Sequence, residues 1–239
     1  MCKSKIRNIQ FLPISDEGFQ QFRAELINKN RHQKSDGART CPSSYNANDT
    51  RVALTLERFV RNSIGHSDRE RILSYEVCYD DQWHQRYLEC DYVRHLPYGG
   101  GLVIGEIKSS ETNSSFRVGC GQLMRICALL KDKYDIKELK FQLHFVEYTG
   151  TRTSHTHTHK GIDIDIMYHP LNKLLEFADS KGYAYDETMI WETRKKVLEN
   201  MKNEKRVDNE KFARRMAKSE GISNFGFLLN QALCSSSVA

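Results

Sequence analysis

The sequence predicts an α/β fold, and three observations lead there. A helix-period stretch after Asp49 precedes three short strand-like segments. A second helix-period stretch follows the third of these, and an alternating strand follows that helix. The run Leu102-Val103-Ile104 is apolar without interruption, as in a strand covered on both faces.

Residues 11–28 read as a first helix, with Phe19, Phe22 and Leu26 as its apolar stripe and Ser15 or Asp16 as its cap. Residues 29–48 are polar, contain Gly37 and Pro42, and read as a loop. Asp49 caps a helix reaching about Ser63, in which Val52, Leu56, Phe59 and Val60 recur at helical spacing. Residues 72–79, 85–96 and 102–108 read as strands, with Pro97-Tyr98-Gly99-Gly100-Gly101 turning the chain before the third. Such short links favour an antiparallel meander. Residues 116–133 form a helix around Leu123, Ile126, Cys127 and Leu130. Residues 139–148 form a strand with Phe141, Leu143 and Phe145 on one face, and 162–167 a further short strand. Helices follow at 171–180 and about 187–218, then a short apolar segment at 225–233. The expected organisation is a helix and polar loop (1–48), an α/β core (49–168) and a basic helical extension (169–239).

At 239 residues, 28% charged and 39% hydrophobic, the composition is that of an ordinary globular chain with one sizeable core and an appendage. No apolar run is long enough to cross a membrane, and no apolar stretch follows the basic Met1–Arg7, so neither a span nor a signal peptide is expected. Seven scattered cysteines without a CxxC fit reduced thiols and a cytoplasmic setting. Between Glu192 and Lys218, ten Lys and Arg stand against five Asp and Glu, an excess equal to the +5 of the whole chain. Such a segment suits a polyanionic partner such as DNA, or else a solvated helix laced with i,i+4 ion pairs.

Two segments carry the chemistry: Tyr87-Leu88-Glu89-Cys90-Asp91-Tyr92-Val93 and Ile104-Gly105-Glu106-Ile107-Lys108. Each reads as a strand with an acid set in apolar surroundings. Glu106 and Lys108, two apart, project from one strand face. Burying such charges is costly unless something offsets them. A divalent cation held by Asp91 and Glu106 would do so. Mg²⁺ needs few carboxylates because it keeps several waters, and Lys108 beside it would orient a water or stabilise developing charge. A buried acid–lysine ion pair is the other reading of the same residues.

Two further residues bear on this. Glu57 interrupts the apolar face of its helix among Leu54, Leu56 and Val60, and Gln122 opens the next helix in Gly119-Cys120-Gly121-Gln122-Leu123-Met124. Glu57, Asp91, Glu106-x-Lys108 and Gln122, in that order on those elements, resemble the PD-(D/E)XK nuclease superfamily in its RecB-like and lambda-exonuclease-like branch, over about residues 49–148. The resemblance implies a restriction-endonuclease-like core: a central mixed sheet flanked by helices, here with helical N- and C-terminal extensions. It implies Mg²⁺ or Mn²⁺ at Asp91 and Glu106, the carbonyl of Ile107 as a further ligand, and Lys108 as the catalytic lysine. Glu57 would reach the metal directly or through water, and Gln122 would orient Lys108 or touch DNA. The implied activity is hydrolysis of DNA phosphodiesters by metal-activated water. The alternative is a catalytically silent nuclease fold that binds DNA or serves as a subunit of a larger DNA-processing complex. The chain departs from the branch in lacking a glycine just ahead of Asp91 and a tyrosine a turn after Gln122, where Ile126 and Cys127 stand. Only Cys234 lies in the C-terminal third, so the four-cysteine iron–sulfur cluster of some relatives is not expected.

Arg194, Lys195, Lys202, Lys205 and Arg206 would track a DNA backbone from the outer face of the basic helix, whose stripe Ile190, Trp191, Val197, Leu198 and Met201 reads as core packing. Arg117 and Arg125 on the Gln122 helix are the alternative track. In Thr153-Ser154-His155-Thr156-His157-Thr158-His159-Lys160, a strand would align His155, His157 and His159 on one face, where they could bind a transition metal. A loop would bring them near DNA phosphates. The favoured reading is an exposed polar hairpin tip before Gly161.

Overall fold

The computed structural model describes residues 5–35, 47–65, 69–131, 133–135 and 138–219. It is a mixed α/β structure containing a five-stranded mixed sheet flanked by helices. The chain forms two compact units, residues 1–185 and 186–239, a division that differs from the three parts read from the sequence.

The chain opens with a strand, β1 (Ile6–Pro13), where the sequence reading began a helix. β1 pairs antiparallel with β2 (Glu70–Tyr79), a long-range partner that local periodicity cannot reveal. Helix α1 (Glu17–Ser35) starts after Asp16, whose side chain accepts from the Phe19 N–H at 2.9 Å, so Asp16 is the cap. Phe19 is buried and Phe22 half-buried, but Leu26 is exposed, so the expected stripe is short. α1 runs into the stretch read as a loop, and the rest of that loop, with Gly37 and Pro42, lies outside the described residues. α2 (Ala47–Ser63) begins two residues before Asp49, and Val52, Leu56, Phe59 and Val60 are all buried as expected.

The predicted antiparallel meander divides between two sheets. The segment read as one strand over 85–96 breaks into β3 (Gln82–Glu89) and β4 (Tyr92–His95), with Cys90 and Asp91 between them. β3 pairs back onto β2 and completes a three-stranded sheet β1-β2-β3, whereas β4 pairs with β5 (Leu102–Lys108) in the second sheet. Two guanidinium groups stabilise the break. Arg71 donates to the Cys90 carbonyl at 2.9 Å and Arg61 to the Asp91 carbonyl at 2.9 Å, satisfying backbone oxygens at the point where the ladder stops.

The larger sheet has the order β4-β5-β6-β8-β7. β5, β6 (Leu139–Glu147) and β8 (Ile162–Pro170) run parallel, while β4 and β7 (His155–His159) are antiparallel edges. α3 (Asn113–Leu130) is the crossover from β5 to β6 and starts with a capping box between Thr112 and Ser115. It packs with Leu102, Ile104, Phe141, Leu143 and Phe145 into the main core. Phe116 stacks on Phe145 with ring centroids 6.4 Å apart, and a Cβ at Gly119 would fall 2.5 Å from Leu143 Cδ1, so Gly119 lets the helix approach β6 closely. Alternation turns Val103, Ile107 and His144 to the opposite face. There α2 packs on α4 (Leu171–Ser180), with Leu56, Phe59, Leu174 and Ala178 buried. The three-stranded sheet adds Leu73 to the main core, with Phe11 and Leu88 against it.

The hairpin before β5 depends on Gly101. Its φ is +102°, and an added Cβ would lie 2.0 Å from the Glu138 carbonyl oxygen. Backbone cannot retreat from backbone at that distance. Gly101→Ala is expected to cost at least about 2 kcal/mol in chemical denaturation; an unchanged midpoint would contradict this placement.

α5 (Glu187–Ser219) belongs to the second unit. The apolar segment expected at 225–233 lies outside the described residues. Among the described residues no helix is long and apolar enough to cross a membrane.

Candidate active site

Four elements bring the acidic residues together near the end of β5. Asp91 enters from the β3–β4 break. Its Oδ2 accepts the Ile107 N–H at 2.9 Å, so the carboxylate lies directly against the strand that carries Glu106 and Lys108. Glu106 is 1% exposed, and Lys108 Nζ lies 3.1 Å from its Oε2. Its other oxygen, Oε1, is buried and has no hydrogen-bond partner among the described residues. Burial raises the Glu106 carboxyl to about 8, and the adjacent Asp91 charge pushes the same way against the pull of Lys108.

Glu57 comes from α2. Of the apolar neighbours read around it, Leu56 and Val60 are buried, but Leu54 is 62% exposed and turns outward. The backbone of Ser109, just beyond β5, favours the charged form of Glu57. Burial, with the Asp91 charge in support, raises this group to about 7, while Lys108 and Arg61 pull it down. Glu57 and Glu106 thus each lie within electrostatic reach of Asp91 and Lys108.

The structure adds residues that the pattern did not single out. Arg61 sits one turn after Glu57 and therefore on the same side of α2. It places its guanidinium 3.6 Å from Asp91 Oδ1 while donating to the Asp91 backbone. Arg71 pairs with Glu89 at 3.0 Å beside it. Tyr148 donates its hydroxyl to the Ser109 carbonyl, and burial together with the Glu57 charge raises that phenol. The i,i+4 spacing of Glu57 and Arg61 was a usable signal. Arg71 and Tyr148 are placed by tertiary contacts alone.

The remaining sequence candidates are placed variously. Gln122 is half-buried on α3, one turn beyond Gly119, and its Oε1 is buried without a partner among the described residues. Arg117 and Arg125 are exposed on α3, and Arg117 donates to the Asn113 carbonyl at 3.2 Å. Arg194, Lys195, Lys202, Lys205 and Arg206 all lie in α5 of the second unit. Lys195, Lys202 and Lys205 are exposed, Arg194 lies over the Trp191 ring at 5.4 Å, and the Arg206 side chain is outside the described residues. His155, His157 and His159 occupy β7, a paired edge strand rather than a hairpin tip; the turn itself is at Lys160 and Gly161.

The donor set fits a small hard cation: two apposed carboxylates, one with an orphaned buried oxygen, on a strand whose backbone carbonyls are close by. Yet among the described residues no three or more His, Cys, Asp and Glu side chains are grouped so as to hold a metal ion, and Glu57, Asp91 and Glu106 do not form such a group. Lys108 holds one Glu106 oxygen, and Ile107 N–H and Arg61 face the two Asp91 oxygens. The Glu106–Lys108 ion pair is therefore present beside two carboxyls, Glu57 and Glu106, that burial and the Asp91 charge raise. Against known proteins, the chain matches no family model and no curated protein.

Proposed function

We propose that the protein is a metal-dependent deoxyribonuclease with a restriction-endonuclease-like core. The observation that carries the proposal is Glu106. A carboxyl this buried, raised first by burial and then by the Asp91 acid beside it, costs stability when charged. Lys108 offsets one oxygen only.

In this reading Asp91 and Glu106 hold Mg²⁺ or Mn²⁺, with the Ile107 carbonyl beside them and Glu57 reaching the ion directly or through water. The ion supplies charge neutralisation at the scissile phosphate and a water of lowered pKa. Arg61 fixes Asp91 by its backbone and carboxylate together. Lys108 presents an ammonium on the same strand face as Glu106, placed to stabilise charge developing on the phosphate oxygens. Gln122, with its unpaired amide oxygen, orients Lys108 or contacts the DNA.

Incubating the full chain with linear and circular DNA in Mg²⁺ or Mn²⁺, and in EDTA, tests this. Cleavage with metal and none with EDTA is expected. The direct Lys108–Glu106 pair favours one other reading, a silent nuclease fold that binds DNA within a larger complex. DNA binding without cleavage in either metal would select it.

DNA binding is expected to be mainly electrostatic. Neutralising Arg194, Lys195, Lys202, Lys205 and Arg206 together should weaken it. The slope of log K against log salt should shrink by about one unit for each phosphate that no longer meets a cationic side chain. An unchanged slope would move the track to Arg117 and Arg125.

A further inference from the structure

The three histidines of β7 lie at the outer edge of the sheet that carries the acidic cluster, on the same face as Lys108. Lys108 is register partner to Phe145 on β6, and Phe145 to Tyr168 on β8. The Phe145 and Tyr168 rings stack at 6.1 Å and 27°, and Tyr168 stacks in turn on His155 at 6.0 Å and 29°. A second branch runs from Phe145 to Phe116 on α3, whose ring meets His157 edge-on at 5.0 Å. Rings therefore extend from β6, the neighbour of the strand that carries Lys108, to the sheet edge, ending in His155, which is exposed, and His157, which is half-buried.

The two faces of β7 differ in charge. On the far face Thr156 and Thr158 donate to Asp165 and Asp163 at 2.9 and 2.6 Å, a surface that repels phosphate. On the histidine face Arg152 lies over the Tyr168 ring at 5.8 Å and is ion-paired with Glu111, so its charge is balanced there. Alternate residues on a strand stand about 6.8 Å apart, twice the ~3.4 Å rise of stacked bases in a duplex. Bases that met successive histidine rings would belong to an extended, unpaired strand.

We propose that β7 is a stacking platform for a single-stranded segment of the nucleic acid, with His155 and His157 as ring partners for successive bases. This rests on the nuclease reading for its substrate, but its test does not require cleavage. The affinity of the full chain for a fluorescent oligo-dT of about 20 nucleotides, measured by anisotropy in EDTA, is compared with that for a blunt duplex. His155→Ala/His157→Ala should weaken oligo-dT binding about tenfold or more, because each stacked base loses the ring beneath it. His155→Phe/His157→Phe should stay within about threefold of wild type, since a phenyl ring retains the stacking. Duplex binding should be unchanged in both variants.

A phenylalanine variant as weak as the alanine one would overturn the platform, and so would unchanged oligo-dT binding in the alanine variant. In the latter case, a dimer dissociated by Thr156→Pro would assign the edge to strand pairing with a second copy of this chain. A wild type that binds oligo-dT through these histidines but cuts nothing refutes the nuclease reading and leaves the platform standing. A wild type that cuts duplex while both variants bind oligo-dT normally refutes the platform alone.

Discussion

Glu106→Gln and Lys108→Ala are each expected to lower the rate of the proposed DNA cleavage by at least about 10²-fold, while the chain stays folded and keeps its DNA binding. Glutamine keeps the size of Glu106 and removes its charge, so the variant tests ligation rather than packing. Loss of a preorganised charged group at a reacting centre costs on the order of 3 kcal/mol or more in the barrier. Both residues stand on one face of β5, with Lys108 Nζ 3.1 Å from Glu106 Oε2. Single-turnover cleavage at saturating protein, with circular dichroism as the check on folding, makes the measurement. Near-normal rates in either variant would remove that residue from the chemistry.

The second large effect is on stability and depends on both pH and metal. The Glu57 and Glu106 carboxyls rise to about 7 and about 8, above the ordinary 4.5. The folded chain therefore retains protons that the unfolded chain releases. That contribution to stability is complete below about 4.5 and is lost as pH rises through 7 to 8. In EDTA the melting temperature should fall over this window. A cation that binds only the folded state adds about 2.7 kcal/mol at a hundredfold excess over Kd, or roughly 5–11 °C for a chain of this size. Because the ligands must be ionised, the gain should grow with pH. Glu106→Gln should flatten the metal-free fall above pH 7 and remove most of the gain from Mn²⁺. A wild type indifferent to Mn²⁺, with Glu106→Gln less stable at every pH, would identify the cluster as an ion-pair network only.

The candidate site was more legible than the scaffold around it. Glu106 and Lys108 were readable because period two in a strand is local, and β5 has the bounds its apolar run indicated. Glu57 was legible because it breaks an otherwise apolar helix face, although Leu54 proved to be on the outer side. β1 was missed because its pairing with β2 joins Ile6 to Val77, a separation no window of periodicity spans. The split between β3 and β4 was missed for a related reason. Nothing local marks Cys90 and Asp91 as unpaired, since the arginines that cap their carbonyls come from α2 and β2. β7 carries polar residues throughout, and it is a strand because Ile162–Pro170 offers it an edge.

Asp91 and Glu106, brought together from the β3–β4 break and β5, are expected to hold a cation. Counting bound Mn²⁺ by electron paramagnetic resonance tests this most directly, with wild type, Asp91→Asn and Glu106→Gln measured at pH 6 and pH 8. The expected result is stoichiometric Mn²⁺ binding by wild type at pH 8, weaker binding at pH 6 where Glu57 and Glu106 hold their protons, and loss of binding in both variants. A folded wild type that leaves Mn²⁺ free at pH 8, or variants that bind it as tightly as wild type, would contradict it.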